Sequence, residues 1–206
     1  MDNFRFKLNN FTQEELNQIT KIHISSFKSG FLVFLGFNFL KLLYSYATRS
    51  ELSILVIAIN KNTNQVAGFI LGTTNTSLFY KKFLKQKFLP AFLYIFPKIF
   101  SIKILKKITE TLIYPQKKEL RQMPKSELLV FAVKKDCRGT GLAQKLFIQL
   151  GKIFKEKNIK EFKFTTGKNL IGAQKFYEKI GAKKISTIQI HKNELCLLYI
   201  YKTNNI

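Results

Sequence analysis

Six consecutive residues, Arg138-Gly139-Thr140-Gly141-Leu142-Ala143, carry the clearest chemical signal in the chain. Two glycines and an alanine let backbone pass close to a ligand, and a helix opening there points its N–H groups and positive dipole end the same way. A pyrophosphate is the natural guest of such a turn, and Arg138 can add a charge-assisted contact. Three phosphate-binding patterns compete for the string. A P-loop needs Gly-x-x-x-x-Gly-Lys-[Ser/Thr], which the chain does not contain. A dinucleotide fingerprint needs a third glycine where Gln144 stands, together with repeated strand–helix–strand units that the sequence does not supply. The third pattern, Arg/Gln-x-x-Gly-x-Gly/Ala, is met by Arg138, Gly141 and Ala143 at every fixed position.

The flanking segments are the kind that can hold such a turn. Residues 128–133 form a nearly continuous apolar run, expected of a strand covered on both faces. A helix follows from Leu142 to about residue 157, with Leu142, Leu146, Leu150 and Ile153 on one face. Residues 160–165 place Phe162 and Phe164 on one side of a second strand, which a right-handed crossover sets parallel to the first. Asn169 is expected to cap a helix that stops at Gly181, and residues 184–190 and 195–201 form a final hairpin around His191–Glu194. Upstream, Thr12-x-x-Glu15 is a capping box that starts a helix to about Phe27. A second, mostly buried helix spans roughly 31–47, and residues 52–59 and 66–71 flank a polar turn as an antiparallel hairpin. The expected fold class is therefore α+β, an α/β/α sandwich around a mixed and mostly antiparallel sheet.

Residues 73–125 break this rhythm. All four prolines lie there, and positions 81–125 hold twelve Lys and Arg against Glu110 and Glu119. Short amphipathic helices with proline breaks fit the composition, as a helical insertion between two core strands within a single domain of 206 residues.

The formal net charge is +23. Such a field favours anionic partners, although a Lys-, Ile-, Asn- and Phe-rich composition also arises from AT-rich coding. A hydrophobic content of 46% excludes a disordered chain. The sequence has no zinc-finger spacing and no aromatic RNP motif, so no dedicated nucleic-acid module is expected. Cys137 and Cys196 have neither metal-ligand nor redox spacing, and both are expected to be reduced. His23 and His191 have no ligand partner nearby in sequence, and no metal site is expected. The start of the chain lacks a secretory pattern, and the apolar stretches 31–47 and 89–105 are interrupted by Asn38 and Lys41 and by Pro97 and Lys98. A soluble, cytoplasmic protein is the expectation.

The turn at 138–143, the element order, and Asn169-x-x-x-Ala173-x-x-Phe176-Tyr177-Glu178-Lys179-x-Gly181 together resemble the GNAT superfamily of acyl-CoA-dependent N-acyltransferases. The family's common form has one residue fewer between its Asn and Ala. The likeness is strongest over 126–182 and leaves out 73–125.

That resemblance implies a sheet whose parallel pair splays to hold acetyl-CoA. Arg138, Gly139, Thr140, Gly141, Leu142, Ala143 and Asn169 would bind the cofactor's phosphate end, and backbone groups of Phe131, Ala132 and Val133 its pantetheine arm. Tyr177 would be the general acid for the leaving thiolate, its phenol being protonated at neutral pH. Glu127, at the start of the strand, would be the general base. The implied reaction is acetyl transfer to a primary amine of a small molecule, an anionic amino sugar or nucleotide-linked amino sugar among the candidates. Two alternatives remain: acetylation of a protein or peptide N-terminus, and a basic, non-catalytic module for membrane surface or nucleic acid. The basic aromatic segment 73–125 also suits peripheral membrane contact.

Overall fold

The computed structural model describes residues 3–27, 30–96, 122–191 and 194–206. Their order is β1 (Phe4–Leu8), α1 (Gln13–Ser26), α2 (Phe31–Leu35), α3 (Phe37–Ala47), β2 (Ser53–Asn60), β3 (Val66–Thr73), α4 (Thr76–Ile95), β4 (Glu127–Val133), α5 (Leu142–Glu156), β5 (Glu161–Gly167), α6 (Ile171–Lys179), β6 (Lys183–His191) and β7 (Glu194–Lys202). Seven strands form one sheet in the order β1-β2-β3-β4-β5-β7-β6. Every neighbouring pair is antiparallel except β4 and β5.

Two apolar cores sandwich this sheet. One face packs against α1–α4 around Ile19, Leu40, Tyr44, Ile57 and Phe69, and the other against α5 and α6 around Leu146, Leu150, Phe154, Phe162 and Phe164. Strands β2 and β3 read as continuous apolar runs because both their faces are covered.

Local chemistry sets the boundaries. At α1, Glu15 N–H donates to Thr12 Oγ1 at 3.1 Å and Thr12 N–H donates to Glu15 Oε2 at 2.7 Å, the expected capping box. The expected helix over 31–47 is instead two helices, because Gly36 sits at φ +95° and breaks the run between Leu35 and Phe37. Strand β1 was not foreseen; it pairs with β2, and its Phe-Arg-Phe-Lys-Leu alternation is a strand signature in only five residues. The described part of segment 73–125 includes α4, in which two helical pieces meet at a kink. It is kinked at Lys87, three residues before Pro90, whose ring cannot fit a straight helix and which lacks an N–H. Residues 97–121 lie outside the described part.

Candidate active site

Strands β4 and β5 meet in register at one pair, Glu127 and Lys163. Lys163 N–H donates to Ser126 O at 3.1 Å, and Ser126 Oγ donates to Glu161 O at 2.8 Å, so the beginnings of the two strands are stitched together. Past that point the ladder stops and the strands part toward their carboxyl ends. The edge of β4 that faces β5 is thereby released from pairing over 129–133. On its other edge, β4 stays bound to β3, but the register skips Leu129: Gly72 faces Leu128 and Leu71 faces Val130. Such a bulge leaves one residue's backbone groups outside the ladder and re-aims its neighbours. Leu129 and Val130 accordingly both pack toward the α1–α4 side.

A buried polar cluster marks the junction. The side chains of Glu127 and Lys163 are 6% and 5% exposed, with Glu127 Oε2 3.7 Å from Lys163 Nζ. Thr76 Oγ1, at the start of α4, donates to the same oxygen at 2.7 Å, and Lys163 Nζ also donates to Pro124 O. Glu127 Oε1 makes no hydrogen bond among the described residues. One carboxylate oxygen is therefore held by Thr76 and Lys163. Burial pushes the Glu127 carboxyl above the ordinary carboxylate range, with Lys163 and Thr76 opposing the shift. Burial pushes the Lys163 ammonium down, against the pull of Glu127. Half-buried Tyr80 is raised by burial and then by the charge of Glu127.

At the far end of β4 lies the glycine turn. A short 3-10 turn, Lys135–Cys137, leads to Arg138, whose Nε donates to Val133 O at 3.2 Å. Thr140 Oγ1 donates to Cys137 O at 2.8 Å, which fixes the loop from within. Gly139 and Gly141 sit at φ +78° and +79°, in left-handed backbone that costs a side-chain-bearing residue energy. A Cβ at either position would meet nothing within 4 Å, so backbone conformation, not crowding inside the protein, demands glycine. Helix α5 has no side-chain cap and no acidic residue in its first turn. The N–H groups of residues 139–143 therefore make no hydrogen bond among the described residues, and they line the positive end of a 15-residue helix. Leu142 is buried and Ala143 packs on the same core, so each contributes backbone and anchors the helix.

Helix α6 bridges the parted strands from the other face of the sheet. Phe176 meets Phe131 of β4 at 5.8 Å between ring centroids, and Tyr177 meets Phe164 of β5 at 4.4 Å. Tyr177 is 7% exposed, and burial raises its phenol well above the usual value, with Tyr199 adding to the effect. Its hydroxyl makes no hydrogen bond among the described residues. Tyr177 thus belongs to the α5–α6 side, and the Glu127 cluster meets Thr76 and Tyr80 of α4 on the opposite side.

Asn169 does not cap α6. Leu170 occupies that position without a side-chain bond, Asn169 is exposed, and Gln174 Nε2 reaches back to the carbonyls of Gly167 and Lys168 at 3.3 and 2.8 Å. The extra residue in the Asn-to-Ala spacing displaces the asparagine by one position. Gly181 does close the helix, at φ +87° just beyond the Ile180 C-cap.

His23 is buried, its Nδ1 bonded to Tyr44 Oη and its ring 4.9 Å from Phe27, and burial lowers it to about 4. The side chain of His191 lies outside the described residues. Cys137 and Cys196 are free, and no cluster of metal-ligating side chains occurs among the described residues. Sequence reasoning missed Lys163, Thr76 and the bulge at Leu129. The signal for Lys163 was available: a charge between Phe162 and Phe164, in a strand flanked by helices, has to find a buried partner.

A mixed sheet that opens at its one parallel junction, backed by an amide-lined glycine turn, defines the fold class of the GNAT acetyltransferases. The sequence model of the Acetyltransferase (GNAT) family matches residues 17–182, most of the chain, and the protein belongs to that family of acetyl-CoA-dependent acetyltransferases. Among solved structures, the chain is similar to SsHAT, 14% identical with a TM-score of 0.70, over 96% of this chain and 98% of that one. It is also similar to a chain of the NatC complex bound to Gag peptide and CoA, 13% identical with a TM-score of 0.62, over 97% and 98%. Ard1 from Thermoplasma volcanium is 11% identical with a TM-score of 0.55, over 96% and 97%. At these identities the likeness is one of fold. No curated protein matches the sequence.

Proposed function

We propose that this chain moves an acetyl group from acetyl-CoA to a primary amine of a small molecule, by direct attack of the amine. The observation that carries the reading is the opening between β4 and β5, which has a buried carboxylate held through one oxygen at its closed end and a bare-amide turn at its far end. The residues fit the cofactor. The amides of 139–143 would receive the pyrophosphate, Arg138 would add charge, and the released edge of β4 over Phe131, Ala132 and Val133 would pair with the pantetheine arm. Acetyl-CoA supplies the thioester carbonyl.

Glu127 Oε1 accepts the proton from the attacking amine, directly or through one water, while Oε2 stays fixed by Thr76 and Lys163. The new C–N bond forms as the C–S bond breaks. An unpaired N–H at the bulge, on or beside Leu129, steadies the carbonyl oxygen as charge builds there. Tyr177, protonated throughout the neutral range, gives its hydroxyl proton to the sulfur. Its placement on the opposite side of the sheet from Glu127 keeps proton uptake and proton delivery apart.

The chain acts as one cytoplasmic domain, with 73–125 as an insertion beside the acceptor side. An amino sugar or nucleotide-linked amino sugar is the acceptor class that suits the basic surface. The test is calorimetry with acetyl-CoA, followed by thiol release across amino sugars, their nucleotide-linked forms and peptides. Saturable binding, with release that Glu127→Gln abolishes while binding persists, supports the reading. No binding of acetyl-CoA removes it, and release with peptides alone replaces the acceptor class.

A further inference from the structure

The second half of α4 exposes apolar side chains to a degree unusual for a helix on a folded protein. Phe88, Leu89 and Leu93 are 65%, 64% and 60% exposed, and Phe92 is 39% exposed. Single exposed apolar residues are ordinary, but contiguous ones mark a contact surface. These four are contiguous. Phe88 stacks on Phe92 with centroids 6.0 Å apart and planes at 19°, and Phe92 meets Phe96 at 5.4 Å, so the aromatics form an i, i+4 ladder along the outer face.

Preceding that ladder on the same helix, Lys81, Lys82 and Lys85 are exposed, while Phe79, Phe83 and Ala91 point into the core. No Asp or Glu occurs anywhere from residue 52 to 109. Ammonium groups before the kink at Lys87 are thus followed by exposed aromatic rings after it, with no acid in that stretch of sequence. The inner face is committed to packing, which fixes the outer one toward the surroundings.

From this juxtaposition we propose that α4 docks the protein on an anionic phospholipid surface, with Phe88, Leu89, Phe92 and Leu93 in the interface and the lysines on lipid phosphates. Charge complementarity selects the occupant. A second copy of this chain would bring +23 against +23, whereas a bilayer bearing anionic headgroups meets both halves of the face. Lysine stems can lie along apolar surface with their charges at headgroup level, and aromatic rings favour that same depth. The helix lies on the bilayer and does not cross it: none of the described helices is long and apolar enough to span one.

The chain contains no tryptophan, so Phe92→Trp creates a single tryptophan reporter within the ladder at little cost to the fold. The full chain carrying it is titrated with phosphatidylcholine vesicles, with and without phosphatidylglycerol. The expected result is a shift of emission to shorter wavelength on the anionic vesicles alone. Co-sedimentation should fall about a hundredfold when Lys81, Lys82 and Lys85 are all replaced by Glu, taking about 1 kcal/mol per lysine near the surface. The double variant Leu89→Ser/Leu93→Ser, also at exposed positions, should release the protein from the same vesicles with its melting midpoint unchanged. Three results would overturn the proposal: no spectral shift with anionic vesicles, an equal shift on neutral ones, or a shift without lipid that grows with protein concentration or follows added RNA. The reporter variant alone decides the matter if the charge variant fails to fold.

Discussion

Glu127 and Lys163 are the one pair that joins β4 to β5 in register, and their side chains stand 3.7 Å apart at the point where the strands begin to separate. A buried ion pair is a poor source of stability, since desolvation offsets much of its attraction. Here it sits where the fold opens, with one oxygen of Glu127 fixed by Thr76 as well. That position favours a role in fixing the carboxylate over one in strengthening the sheet.

Replacing Glu127 by Gln keeps the shape and the bond from Thr76 but removes the proton acceptor. The turnover number should fall by about 10²- to 10⁴-fold, the usual worth of a general base, with acetyl-CoA affinity unchanged. In the unaltered enzyme, burial raises the carboxyl, so activity should be lost as pH falls through a value above that of an ordinary glutamate. A pH–rate profile measures both.

Lys163→Met should move that acidic limb further up in pH, because the main opposing charge is gone. It should also cost about 3–5 kcal/mol of stability at neutral pH, the penalty of leaving one buried charge unpaired. A urea melt beside the pH profile separates the two effects.

Tyr177→Phe removes a hydroxyl that makes no hydrogen bond among the described residues. Stability should change by less than about 0.5 kcal/mol, as at sites where no partner is lost. Turnover should nevertheless fall by about 10²-fold if the phenol delivers the proton to sulfur. A stable variant with full turnover would remove Tyr177 from the chemistry.

His23 gives a stability signature independent of catalysis. Its folded value of about 4 lies below the ordinary 6.5, so the unfolded chain binds a proton first as pH falls. The contribution is complete above 6.5 and is lost between 6.5 and about 4, amounting to about 3 kcal/mol. Thermal melts across that range should show the loss in the unaltered chain and a shallower slope in His23→Phe/Tyr44→Phe.

Gly68 lets β3 approach β4 closely: a Cβ there would stand 2.9 Å from Ala132 O. Gly68→Ala should destabilise by about 1–3 kcal/mol, the cost of overpacking, and shift the edge of the cleft as well. A denaturant melt and an acetyl-CoA titration would register each consequence.

Much of this architecture was legible because its signals are local. The capping box at Thr12, the glycine turn at 139–141, the periodic face of α5 and the stop at Gly181 are written within a few residues of where they act. What stayed hidden depends on distant partners. β1 is a strand only because β2 presents an edge to it, and the bulge at Leu129 exists only in the register between β3 and β4. The Glu127–Lys163 contact spans 36 positions and follows from the parallel pairing, which sequence predicted in outline but not in phase. Gly36 was visible but was read within a longer apolar helix, and its left-handed backbone divides that helix in two. At Asn169 a one-residue shift was enough to move the side chain out of the capping position.

The most direct measurement is a crystal structure with coenzyme A bound. The account predicts its diphosphate on the amides of 139–143, its arm along the freed edge of β4, and its sulfur between Tyr177 and Glu127. Coenzyme A bound elsewhere, or a gap closed by continuous β4–β5 pairing, would contradict it.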